Sequence, residues 1–146
     1  MRDSDIGFMQ RAIKVARDNA GQGGRPFGAI VVKDGAVVAS AANEVHLGGG
    51  PTAHAEFLAV KRAGEALQSP SLAGCVVYAS GHPCPFCVAT MSLYGIRAAF
   101  YGYSREEFAE LAEPPTYPPV EVEQLRPEGE AGLYEYWQTQ LRSRQV

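Results

Sequence analysis

The sequence predicts a three-layer α/β/α sandwich around a mixed five-stranded sheet. Three observations carry that expectation. Two β-rich runs, residues 27–32 and 36–40, flank Asp34-Gly35, a strong signal for a tight antiparallel hairpin. After them, helix-period segments alternate with short apolar runs, the pattern that places helices on sheet faces. The chain has 146 residues, 46% of them apolar and 20% charged, which suits one real core and is too short for two ordinary ones. Residues 1–146 are therefore expected to form a single domain.

The elements follow in order. Residues 5–20 carry apolar side chains at Ile6, Met9, Ile13, Ala16 and Ala20, a helical spacing behind Ser4 or Asp5 as cap. Three glycines between 21 and 24 stop that helix. Beyond the hairpin, residues 43–51 form a Gly-rich loop, in which His46 is expected to be solvated. A helix begins near 52–55 and runs to about Leu67, with Phe57, Leu58, Val60 and Ala63 on its buried side. Residues 75–79 are a continuous apolar run of strand length, with Cys75 read as a core thiol. Pro83 suits the first turn of a helix to about Tyr94. A strand at 98–103 and a short helix at 106–112 come next. Four prolines between 113 and 119 make an irregular excursion. A fifth strand is expected at 120–125 and a last helix at 131–142, with residues 126–146 as a helical tail.

Charge narrows the partners. Thirteen Lys and Arg against sixteen Asp and Glu give −3. The acidity is uneven: residues 104–135 hold nine carboxylates and two cations, −7 in all, leaving the rest of the chain at +4. An acidic last third is a poor bed for a polyanion, so nucleic acid is disfavoured as a partner. The charged first five residues lack the apolar core of a signal peptide, and no apolar run approaches a membrane span. A cytoplasmic protein is expected, with no membrane partner. Of its three cysteines, the pair spaced as Cys84-Pro85-Phe86-Cys87 then reads as metal or redox chemistry rather than a disulfide framework.

Two segments carry the chemistry, Thr52-Ala53-His54-Ala55-Glu56 and Pro83-Cys84-Pro85-Phe86-Cys87. They supply three zinc-competent side chains, His54, Cys84 and Cys87. A structural zinc site is normally closed by four protein ligands, whereas a catalytic one keeps a position for water. Three ligands predict one Zn2+ per chain with a catalytic water acidified toward neutrality. Glu56 would shuttle that water's proton to a ring nitrogen and then to a leaving amine. Both segments are expected at helix N-termini, where peptide N–H groups favour thiolates.

His-x-Glu followed by Pro-Cys-x-x-Cys is the zinc deaminase signature. With Pro26-Phe27-Gly28-Ala29, Val31-Val32-Lys33-Asp34-Gly35 and Asn43 in the expected order, the chain resembles the cytidine deaminase-like superfamily over roughly two-thirds of its length. It is most similar to the branch holding bacterial guanine deaminases and tRNA adenosine deaminases. The resemblance implies hydrolytic deamination of a free nucleobase or similar small heterocycle, guanine first. It also implies that Phe27 packs on the base, that Asn43 hydrogen-bonds it, and that the backbone at Ala55 meets a ring carbonyl. Members are commonly homodimers, some with an exchanged C-terminal segment, and Glu135 or Trp137 of the tail could close over the substrate. Tyr134, Tyr136 and Trp137 equally suit a core or interface.

Two departures stand out. Most relatives have Glu where this chain has His82, and usually Met where it has Phe86. His82 either shapes the strand-to-helix turn or contacts substrate. The alternatives to a free-base deaminase are a tRNA adenosine deaminase and an inactive zinc-stabilised scaffold, against which the shuttle acid Glu56 argues.

Overall fold

Residues 3–144 are described by the computed structural model, which divides after Pro114 into two units. In the first, helix α1 (Asp3–Gly21) precedes the strands β1 (Gly28–Lys33) and β2 (Ala36–Ala42). The hairpin turns on Asp34 and Gly35, whose φ angles are 50° and 78°. Two successive positive φ values give the turn whose twist matches the flanking strands, and Asp-Gly is the pair that reaches them at low cost.

A short 3-10 turn, Val45–Leu47, leads to α2 (Ala55–Leu67), β3 (Cys75–Gly81), α3 (Pro85–Leu93), β4 (Ala98–Tyr103) and α4 (Arg105–Ala109). The sheet order is β2-β1-β3-β4, with β1 antiparallel to both neighbours and β3 parallel to β4. The mixed sheet is the expected one, but it has four strands among the described residues rather than five.

Period-2 alternation divides β1 between two cores. Ala29 and Val31 face α2 and α3, packing with Ala41, Val77, Ala55, Ala59, Val60 and Met91. Ile30 and Val32 face α1, with Tyr78 and Ala12. Helices thus cover both faces, giving the three layers. The small residues Ala55, Ala59 and Ala63 seat α2 close to the sheet, whereas Phe57 and Leu58 are only half-buried. Cys75 lies in the core beside Val77, as its apolar context implies.

The start of α3 falls two residues later than Pro83 suggests. Cys84 precedes Pro85 and is held extended (φ −74°, ψ 164°), because a residue before proline is sterically kept from the helical region. Helix α4 is fixed by a capping box between Ser104 and Glu107.

The second unit holds α5 (Leu133–Arg144), in which no residue is buried. The strand expected at 120–125 does not form. Val120, Val122 and Leu125 are 81%, 91% and 91% exposed, so the β-favouring pattern buries neither face. Four prolines at 114, 115, 118 and 119 lack the N–H groups a ladder needs, and Glu121 and Glu123 alternate with the valines. No helix among the described residues is long and apolar enough to cross a membrane.

Candidate active site

The two chemistry-bearing segments meet at two helix N-termini. His54 is the N-cap residue of α2 and Cys84 that of α3, with Cys87 in the first turn of α3. Three atoms form a nearly equilateral triangle: Cys84 Sγ to His54 Nδ1 is 3.5 Å, Cys84 Sγ to Cys87 Sγ 3.5 Å, and Cys87 Sγ to His54 Nδ1 3.6 Å. The sulfurs are far beyond the about 2.05 Å of a disulfide, and all three cysteines are free.

Those edges can be tested against zinc. Bonds of about 2.3 Å to sulfur and 2.0–2.1 Å to nitrogen at tetrahedral angles put neighbouring donors about 3.6 Å (S···N) and 3.8 Å (S···S) apart. The observed triangle fits within a few tenths of an ångström. No fourth His, Cys, Asp or Glu among the described residues joins the cluster. The donor set is therefore the open three-ligand kind.

The electrostatics fit a cation at this spot. Burial and the nearby Arg25 charge push the His54 pKa down, against a hydrogen bond to the Pro51 carbonyl. Neutral imidazole is the form that ligates, and a carbonyl partner on the ring fixes its tautomer. Glu56, buried in the first turn of α2, is pushed up to about 7 by burial, partly offset by hydrogen bonds to Cys87 and its own backbone N–H. The Cys87 thiol is driven up by burial first, then by the Glu56 and Cys84 charges. Burial and neighbouring negative charge thus hold the Cys87 thiol protonated, and a divalent ion at the triangle reverses that pressure.

The profile of the cytidine and deoxycytidylate deaminase zinc-binding region matches residues 2–103. The chain belongs to that family. It is a zinc-dependent hydrolytic deaminase, and the scaffold alternative is set aside. Guanine deaminase of Bacillus subtilis (strain 168) is 41% identical over 105 residues, covering 70% of this chain and 67% of the relative. A solved structure of guanine deaminase from Bacillus subtilis superposes with a TM-score of 0.80 at 29% identity, covering 95% of both chains. A structure from a study of A-to-I editing by tRNA:A34 deaminases gives 0.65 at 35% identity, covering 68% of this chain and 72% of its own.

Around the deaminase's donor triangle, the other singled-out residues occupy distinct places. Phe27 immediately precedes β1, and its ring lies over Gly81, where an added Cβ would come within 3.1 Å. The same ring packs on Phe108 of α4, centroids 5.3 Å apart. Asn43 follows β2 and is buried, its N–H bonded to the Phe27 carbonyl at 3.1 Å. Its Oδ1 accepts the Val45 N–H at 3.0 Å, which uses one of that oxygen's two lone pairs and fixes the orientation of the amide. Ala55 is fully buried at the first position of α2, where a backbone N–H has no intrahelical acceptor.

His82 stands apart from the triangle. Its ring packs on Tyr101 with centroids 4.6 Å apart, and Nδ1 donates to the Pro83 carbonyl at 2.9 Å. These contacts hold the strand-to-helix turn. Phe86 packs on Phe57, centroids 5.1 Å apart, at the outer side of α3. Glu135 and Trp137 lie exposed on α5 in the second unit.

Sequence reasoning missed three groups. They are the Pro51 carbonyl behind His54, Phe108 behind Phe27, and the buried Asn19 of α1. Only Asn19 left a signal: it follows Ala12 and Ala16 on the buried face of α1.

Proposed function

We propose that this deaminase removes the exocyclic amine of a free purine base, guanine giving xanthine and ammonia. The observation that carries the substrate class is the reach of the structural likeness. It covers 95% of this chain for a guanine deaminase, taking in residues beyond Pro114, against 68% for the tRNA deaminase structure.

His54, Cys84 and Cys87 are the residues that would hold zinc, which when bound makes a water nucleophilic near neutral pH. The Glu56 carboxylate takes the proton that this water loses and delivers it to the ring nitrogen beside the reacting carbon. Glu56 then takes the proton of the newly added hydroxyl and hands it to the departing amine, the hydroxyl oxygen becoming the carbonyl of xanthine, so guanine plus water becomes xanthine plus ammonia. Phe27 offers its ring face to the base. Asn43, its amide oriented by the Val45 N–H on Oδ1, acts through Nδ2 as a donor to a ring acceptor. The Ala55 N–H meets the ring carbonyl. His82 contacts the substrate from the strand-to-helix turn.

The working state is a cytoplasmic homodimer. Three free thiols, two of them 3.5 Å apart and required reduced, suit a reducing compartment. Exposed Val88 and Leu93 on α3, and Leu133, Tyr134 and Trp137 on α5, suit burial against a second copy.

Ammonia release from guanine by the zinc-loaded protein is the direct test, with Glu56→Gln as the inactive control. Turnover of adenine, cytosine or an aminotriazine but not guanine would replace the substrate. A second reading, tRNA adenosine deamination, is favoured by the net charge of +4 outside residues 104–135. It requires RNA binding that weakens steeply with salt.

A further inference from the structure

The side chain of Asn19 is buried near the C-terminal end of α1, and both N–H bonds of its amide are used. Nδ2 donates to the Arg25 carbonyl at 2.8 Å and to the Asn43 carbonyl at 3.0 Å. Those carbonyls belong to two separate segments, one leading into β1 and one leaving β2. The Arg25 carbonyl also accepts the Phe27 N–H at 2.8 Å, and the Asn43 N–H donates to the Phe27 carbonyl at 3.1 Å. Asn19, Arg25, Phe27 and Asn43 thus form a closed ring of hydrogen bonds, with the amide of Asn19 as its only side-chain member.

Gly24 shows how tightly the amide is held. A Cβ there would lie 2.6 Å from Asn19 Nδ2 and 2.5 Å from Cε1 of His46. Neither approach is possible without displacing the amide or the His46 ring. A helix-capping role does not account for the arrangement, because the end of α1 is closed by the Asn19 backbone carbonyl, which accepts from Gln22 and Gly24.

We propose that Asn19 is a positioning residue, its amide setting the spacing between the Phe27 ring and the Asn43 amide across which the base is held. This rests on the base-binding roles proposed above for those two residues. Asn19 touches no reacting atom. It acts on how well the base is gripped and leaves zinc and Glu56 alone.

The decisive variant is Asn19→Asp, which keeps the side chain's shape and removes both donors. With guanine as substrate, KM should rise about tenfold while kcat changes less than about threefold, because only substrate grip is lost. Zinc should stay at one per chain, and hydrogen exchange at the Phe27 and Asn43 amides should accelerate. Combining Asn19→Asp with Asn43→Ala should cost less than the product of the single effects, since one acts through the other. Gly24→Ala, which retains the amide and crowds it, should raise KM in the same direction, and it decides the matter should Asn19→Asp fail to fold.

A lowered Tm with unchanged KM and unchanged exchange in the folded variants would overturn the inference and leave Asn19 a purely structural residue. If Phe27→Ala and Asn43→Ala raise KM but Asn19→Asp and Gly24→Ala do not, the inference alone falls. If Phe27→Ala and Asn43→Ala leave KM unchanged, the base-binding reading has failed and the inference falls with it.

Discussion

In the homodimer proposed above, replacing Trp137 by alanine should weaken self-association about a hundredfold. Helix α5 has 12 residues, none of them buried. Isolated helices of about 12–15 residues or fewer are marginal in water, so α5 needs a surface to lie on. Its apolar side chains are large and uncovered, and Trp137 is 57% exposed. A buried aromatic side chain removes about 150–250 Å2 from water. The part of Trp137 still open is then roughly 85–140 Å2, which at about 25 cal/mol per Å2 is worth about 2–3.5 kcal/mol of association. At about 1.4 kcal/mol per factor of ten, that is a loss of between thirty- and several-hundredfold.

The chain holds a single tryptophan, which makes the assay direct. Dilution from micromolar to nanomolar protein should shift the emission to the red as Trp137 returns to water. Sedimentation velocity should show dimer giving way to monomer over the same range, and the Trp137→Ala variant should dissociate at correspondingly higher concentration. A monomer at every concentration with water-like emission would refute docking of α5. A blue-shifted emission that ignores dilution would refute exchange between copies and leave closure within one chain.

Three further outcomes are expected. Glu56→Gln should keep one zinc per chain and lose about 10²- to 10⁴-fold in turnover, the usual size of a general acid–base contribution; retained activity would remove Glu56 from the proton path. Cys84→Ser should drop bound zinc well below one per chain while circular dichroism reports unchanged helix, and an unaltered zinc content would dismantle the ligand triangle. With Cys84 and Cys87 both changed to serine, Cys75 is the one thiol left. Burial pushes its pKa up, so it stays protonated at pH 8, and an aromatic disulfide reagent should reach it only when urea unfolds the chain.

Much of this was legible in the residues. Asp34-Gly35 located the hairpin, and the β-rich run over residues 27–32 located its first strand, which the structure shows buried on both faces. His-x-Glu and Pro-Cys-x-x-Cys brought together three donors that the fold sets 3.5–3.6 Å apart. What failed or stayed hidden depended on tertiary partners or on the path of an irregular loop. Val120 to Leu125 has β-favouring composition, yet a strand needs a neighbour to accept its N–H groups. The commitment of Asn43 Oδ1 to Val45 could not be read either, because it depends on a local backbone turn. Asn19 was visible only as a polar residue on an apolar helix face, with nothing to say which carbonyls it would meet.

The two helix N-termini explain why the site stands where it does. An N-cap residue is normally Ser, Thr, Asp or Asn, whose side chain satisfies an open backbone N–H, and losing that bond costs about 1 kcal/mol. At α2 and α3 the caps are His54 and Cys84, and neither side chain makes a capping bond. Helix α4, which supplies no zinc donor, keeps a full capping box. The fold therefore forgoes a local stabilisation twice, at the two positions where it aims donors at a common point. Capping would turn each side chain back onto its own helix, whereas ligation needs it pointed away. The uncapped, partly positive N-terminal ends of α2 and α3 lie where the donor set sits, and there they favour the thiolate forms that ligation requires. Binding of zinc to the folded chain alone offsets the lost caps by mass action. Stability given up at the caps and chemistry gained at the triangle are thus two consequences of one placement.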